Sequence, residues 1–107
     1  MIAAVVPAAG RSERMGRPKL ILPLGGGTVI ARVIRALREG GAEPIVVVAP
    51  PVDFDGAKIL ADEATRAGAV VVVADSATAD MRASVELGLE WLRRGPAPST
   101  VLLAPGD

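Results

Sequence analysis

Residues 7–19 read Pro-Ala-Ala-Gly-Arg-Ser-Glu-Arg-Met-Gly-Arg-Pro-Lys, a run of small residues followed by closely spaced cations. Ala8, Ala9 and Gly10 leave the backbone N–H groups open to a ligand, because no bulky side chain blocks the approach. Arg11, Arg14 and Lys19 bring three positive charges to the same turn. Guanidinium groups grip phosphate oxygens in forked geometry, and a lysine adds a mobile point charge. Together they suit a triphosphate. Neither common phosphate motif is present. Gly10 and Gly16 are six apart with Arg17-Pro18 before Lys19, which is not a Walker A loop. Gly25-Gly26-Gly27 has Ile30 where a dinucleotide fingerprint needs its third glycine, and reads as a turn.

Other chemistries are excluded by what the 107 residues lack. There is no Cys and no His, so there is no disulfide framework, thiol nucleophile, Ser-His-Asp triad or His-based zinc site. A metal here would be held by carboxylates and backbone oxygens, which favours a hard cation such as Mg²⁺. A general base would be Asp, Glu or Lys. The 12 basic and 12 acidic groups cancel, yet they are segregated. Residues 1–38 carry seven basic groups against Glu13 alone, and the remaining 69 residues carry five basic and eleven acidic groups. This asymmetry points to an anion site near residues 11–19. It does not suggest nucleic acid, because the excess lies in one short loop and one helix and there is no broad basic face. Phe54 and Trp91 are the only aromatic residues, which argues against a base-stacking platform. No stretch approaches membrane-spanning length, and residues 1–9 lack the charged leader of an export signal, so a cytoplasmic location is expected.

The elements that would hold the loop follow from hydrophobic period. Residues 2–6, 45–49, 70–74 and 101–104 are apolar and largely β-branched, a pattern of strands buried on both faces. Helical stripes lie between them. Val29, Ile30, Val33, Ile34 and Leu37 form one, with Thr28 as N-cap and Gly40-Gly41 as the stop. Ile59, Leu60 and Ala64 form a second, ending at Gly68. Val85, Gly88, Leu89 and Leu92 form a third, starting near Asp80 and stopped by Gly95-Pro96. The expected fold is α/β, Rossmann-like, three-layered and built on a mainly parallel sheet, with ligands bound beyond the carboxyl ends of the strands. Half the residues are hydrophobic, enough for one such domain. A core strand running to residues 101–104 with no covering helix after it suits the first part of a longer domain, truncated after its fourth strand. An isolated sheet cut there is expected to be only marginally stable.

Residues 5–24 closely resemble the signature of the molybdenum-cofactor-type, MobA-like nucleotidyltransferases, A-(A/G)-G-x-S-x-R-M-G-x-x-K-x-L-L. The resemblance implies a nucleotide-diphospho-sugar transferase-like fold, of which residues 1–107 would be the N-terminal nucleotide-binding part. It implies that Ala8, Ala9, Gly10, Arg11 and Ser12 wrap the nucleotide, with Met15 and Gly16 in the same binding stretch. Met15, like Met81, also reads as a packing residue from its side chain alone. Arg14 would meet the phosphates and Lys19 would steady the charge developing at the α-phosphate. Residues 80–89 resemble the family's second nucleotide element, G-M-x-x-S-(L/V)-x-x-G-(L/V). By that likeness Ser84 touches the nucleoside and Gly88 permits close helix packing; Asp80 stands where the family often has Gly. Residues 102–107 resemble the strand leading to the family's Gly-Asp pair, which implies that Asp107 binds Mg²⁺.

The implied reaction is transfer of a nucleoside monophosphate from an NTP to a phosphate-bearing acceptor, releasing pyrophosphate. Ala8-Ala9-Gly10 is similar to the form common among cytidylyltransferases, so CTP is expected over GTP, with molybdopterin as acceptor. A sugar- or alcohol-phosphate acceptor is the nearest alternative. Two others are a non-catalytic module that senses NTP and an accessory protein acting through contacts in molybdoenzyme maturation. Trp91 reads as a half-buried helix residue covering the sheet. Arg32, Arg35 and Arg38, three apart on one helix, read as a solvated face before a partner site.

Overall fold

The structure is a computed structural model that describes residues 2–8, 28–51, 57–74, 81–95 and 100–103. Four strands and three helices alternate through them: β1 (Ile2–Pro7), α1 (Val29–Glu39), β2 (Ala42–Ala49), α2 (Ala57–Arg66), β3 (Val70–Val73), α3 (Met81–Arg93) and β4 (Thr100–Leu103). The strands form one sheet in the order β3-β2-β1-β4, and every adjacent pair is parallel. The sequence expectation of an α/β fold on a parallel sheet is met.

Alternation of side chains along β1 and β2 divides the interior into two cores. Ala4, Val6, Ile45, Val47 and Ala49 face α1 and α2, meeting Ile30 and Ile34 of the first helix and Leu60 and Ala64 of the second. Ala3, Val5, Val46 and Val48 face the opposite side, where they meet Leu92 of α3. Trp91 is half-buried beside that second core, as expected of a helix residue covering the sheet. These two strands are continuous apolar runs because both their faces are covered. A sheet with helices on both faces makes three layers.

The edge strands depart from the expectation of burial on both faces. In β3 only the terminal Val73 is exposed, with the other three valines half-buried. β4 is more open: Val101 packs against the α3-side core, while Leu102 and Leu103 are 42% and 53% exposed. An apolar run marks a strand, but its position in the sheet decides whether neighbours cover it.

Helix α1 begins where its cap predicts. The Thr28 side chain accepts a hydrogen bond from the Ala31 N–H at 3.3 Å, and Gly40 and Gly41 follow the last turn. Gly41 has φ of 95°, a conformation that costs a side chain-bearing residue more than glycine. Thr28→Ala leaves an N–H of the first turn unpaired and is expected to cost about 1 kcal/mol, read from the shift in denaturant midpoint. Strand β2 begins earlier than its apolar run suggests. Ile2 is opposite Ala42 but Ala4 is opposite Ile45, so β2 bulges by one residue beside Pro44, which has no N–H for the ladder.

Candidate nucleotide site

The order of the strands sets where a ligand can sit. The chain steps from β1 to β2 to β3 in one direction, with α1 and α2 on one face of the sheet. It then returns through α3, on the other face, to place β4 on the far side of β1. The order therefore reverses at β1, and the connection leaving β1 and the one leading into β4 diverge to opposite faces of the sheet. In open parallel sheets that divergence makes a crevice beyond the carboxyl ends of the two strands. Each helix follows a strand and runs back against it, so α1, α2 and α3 all begin at this same edge. Helix N-termini present free N–H groups and a positive partial charge of about half a unit, which favours an anion there.

Strands β1 and β4 are in direct register, with Ile2 opposite Thr100 and Val5 opposite Leu103. The strands that precede two of the sequence motifs consequently end side by side. The cationic loop follows Ala8, and Gly106-Asp107 follows Leu103 at the end of the adjacent strand. Of the residues assigned to that loop, Ala8 is described. Its N–H donates to the Val48 carbonyl at 2.9 Å, extending the ladder by one residue, and its methyl group packs against the α1/α2 core. The Ala8 amide is thus engaged with β2. Ala9, Gly10, Arg11, Ser12, Arg14, Met15, Gly16 and Lys19 lie outside the described residues, as does Asp107.

The third motif approaches the crevice from above the sheet. Ser84 is in the first turn of α3, and Gly88 lies one turn further on. Gly88 is buried, and a Cβ added there would stand 2.6 Å from Val5 Cγ1, 3.2 Å from Val5 Cγ2 and 3.4 Å from Val48 Cγ2. The glycine lets α3 lie close on β1 and β2, at the strand whose end carries the loop. Val5 and Val48 were not legible as its partners, although a glycine inside an apolar helical stripe was the available signal.

The donor chemistry suits a hard cation, since the chain holds only oxygen ligands for one. Among the described residues no three acidic side chains gather to hold a metal.

The fold is that of an α/β protein of the doubly wound class. The sequence places it further: residues 4–107 match the MobA-like NTP transferase domain, and the chain belongs to that family. It is 36% identical over 94 residues to a probable molybdenum cofactor guanylyltransferase of Opitutus terrae, covering 85% of this chain and 45% of that protein. It is 46% identical over 57 residues to a 2-C-methyl-D-erythritol 4-phosphate cytidylyltransferase of Frankia casuarinae, covering 50% of this chain and 21% of that protein. A bifunctional enzyme IspD/IspF of Brucella anthropi matches at 36% over 110 residues, 98% of this chain and 26% of its own length. The chain thus spans less than half the length of these curated relatives. Among the described residues no helix is long and apolar enough to cross a membrane.

Proposed function

We propose that this chain forms the nucleotide-binding part of an enzyme that transfers CMP from CTP to a phosphate-bearing acceptor, with molybdopterin as the first candidate acceptor. The observation that supports the reading is the pairing of β1 with β4 at the point where strand order reverses, since these are the strands that the cationic loop and Asp107 follow in sequence. An oxygen of the acceptor phosphate attacks the α-phosphorus of the nucleotide and a new P–O bond forms. The bond from the α-phosphorus to the bridging oxygen breaks, and pyrophosphate leaves with that electron pair. The acceptor is already an anionic nucleophile, so no His or Cys is required. Catalysis rests on alignment and charge neutralisation.

In this reading Ala8, Ala9, Gly10, Arg11 and Ser12 wrap the nucleotide, Met15 and Gly16 belong to the same binding stretch, and Ser84 meets the nucleoside. Arg14 and Lys19 take up negative charge at the phosphates as the leaving group departs. Asp107 would hold Mg²⁺, which when bound supplies further charge neutralisation at the phosphate oxygens. The Ala8-Ala9-Gly10 form and the cytidylyltransferase relatives favour CTP. The longer match to a guanylyltransferase supports GTP as the second reading, and the erythritol phosphate in the relatives' names supports an alcohol phosphate as the second acceptor class.

Titration of the full-length protein with CTP and with GTP, each with and without Mg²⁺, tests this. Mg²⁺-dependent binding that favours CTP is expected. A preference for GTP would overturn the base assignment and leave the reaction class in place. Failure of a folded sample to bind either nucleotide would overturn the enzyme reading and favour an accessory role.

A further inference from the structure

We propose a second anion site, at the amino edge of the sheet, that takes a compact polyphosphate between the C-terminal ends of α1 and α2. The two helices share one face of the sheet and both run back to that edge, opposite the candidate nucleotide crevice. Between their ends lies a groove of about 430 Å³ lined by Arg35, Arg38, Glu39, Arg66 and Ala67. That volume is in the range of small-molecule sites, roughly 300–1,000 Å³. Three guanidiniums against one carboxylate leave it cationic, and forked N–H pairs match phosphate oxygens.

The cluster is built around one fixed member. Arg38 Nη1 donates to the Ala67 carbonyl at 3.1 Å, tying α1 to the end of α2. Gly68 makes room for it: a Cβ there would collide with the Arg38 guanidinium, whose carbon would lie 3.1 Å away. The Gly68 φ of 99° adds a second reason for glycine at that position. Arg35 is one turn before Arg38 on the same helix, and Arg66 immediately precedes Ala67, so both are set beside the anchored guanidinium. No hydrogen bond or ion pair engages Arg35 or Arg66 among the described residues.

Capping of the helices does not account for those two. The last turns already close on themselves, with Gly41 N–H donating to Arg38 O at 2.9 Å, Gly68 N–H to Thr65 O at 3.0 Å and Ala69 N–H to Ala64 O at 3.0 Å. Exposed arginines at helix C-termini do offset the negative end of the dipole, and that is the competing explanation. A single phosphate would engage one or two of these forks. A chain of phosphates can span all three, which sets the ligand class.

The test is a titration of the isotope-labelled protein with inorganic tripolyphosphate at low ionic strength, followed at the amides of Gly41, Gly68 and Ala69. Saturable shifts are expected there, with affinity falling roughly tenfold or more in the Arg35→Gln, Arg66→Gln double variant. Glu39→Gln removes the opposing charge and should tighten binding a few-fold, about the effect of one partly screened charge. All three positions are exposed, so the fold should tolerate these changes. Shifts reproduced by sodium chloride at matched ionic strength would mean screening of the helix ends only, and would overturn the site. So would saturation confined to the amides of Ala8 and Ala49, which would put the phosphate at the carboxyl edge. This outcome pattern is independent of the nucleotidyl-transfer reading.

Discussion

Lys19→Ala in the full-length protein is expected to slow pyrophosphate release by roughly a hundred- to a thousandfold, the usual loss when one donor to developing charge is removed. The loss should fall mainly on kcat. In the proposed reading Arg11 and the loop amides still hold the triphosphate in the ground state, whereas Lys19 is assigned to charge that grows only as the α-phosphate is attacked. Arg17→Ala provides the contrast. It removes a positive charge from the same loop at a position given no role, and should leave turnover near the wild-type rate. If both variants lost activity equally, net charge of the loop would be the cause. Unchanged turnover in Lys19→Ala would sink the assignment of Lys19 to the developing charge.

Gly88→Ala is expected to destabilise the protein even though alanine is the better helix former. Propensity alone favours the substitution by about 1 kcal/mol in a helix interior. Against it stands a Cβ only 2.6 Å from Val5 Cγ1. Val5 is fully buried on a central strand and its short side chain has nowhere to retreat. Relief requires α3 to lift off the sheet, and overpacking of this kind costs about 1–3 kcal/mol. Gly88→Val adds bulk and a β-branched side chain, so its penalty should be larger. Denaturant midpoints for Gly88→Ala, Val5→Ala and the double variant form the check, since the clash disappears when Val5 is shortened. The double variant should be more stable than the sum of the two single effects predicts. A higher midpoint for Gly88→Ala alone would show that the helix is not seated on Val5. Because Ser84 lies one turn away, the same displacement should weaken nucleotide binding.

Much of this architecture was written locally. Thr28 caps α1 as its residue type requires, Gly40-Gly41 and Gly68 end helices where the apolar stripes stop, and the runs 45–49 and 70–73 are strands. These features depend on period and on conformational preference within a few neighbouring residues. Burial of β3 and β4 was less legible, because a valine-rich run reads the same in the middle of a sheet as at its edge. The start of β2 was hidden by Glu43-Pro44, residues that suit a loop and lie at the bulge between Ala42 and Ile45, which pair with β1 on either side.

The candidate site divides along the same line. Sequence by itself determined the chemistry: a chain without His or Cys, a small-residue turn with Arg11, Arg14 and Lys19, and a family membership extending over residues 4–107. Residue type and spacing suffice for those conclusions, since they concern which groups exist. The meeting of β1 and β4, the approach of Gly88 to Val5, and the gathering of Arg35, Arg38 and Arg66 were decided by tertiary structure alone. Each joins residues that are distant in sequence, between 28 and 98 positions apart for Arg38–Arg66, Val5–Gly88 and Val5–Leu103. No local preference specifies such contacts. They arise because packing helices on both faces of a parallel sheet leaves only a few ways to order its strands.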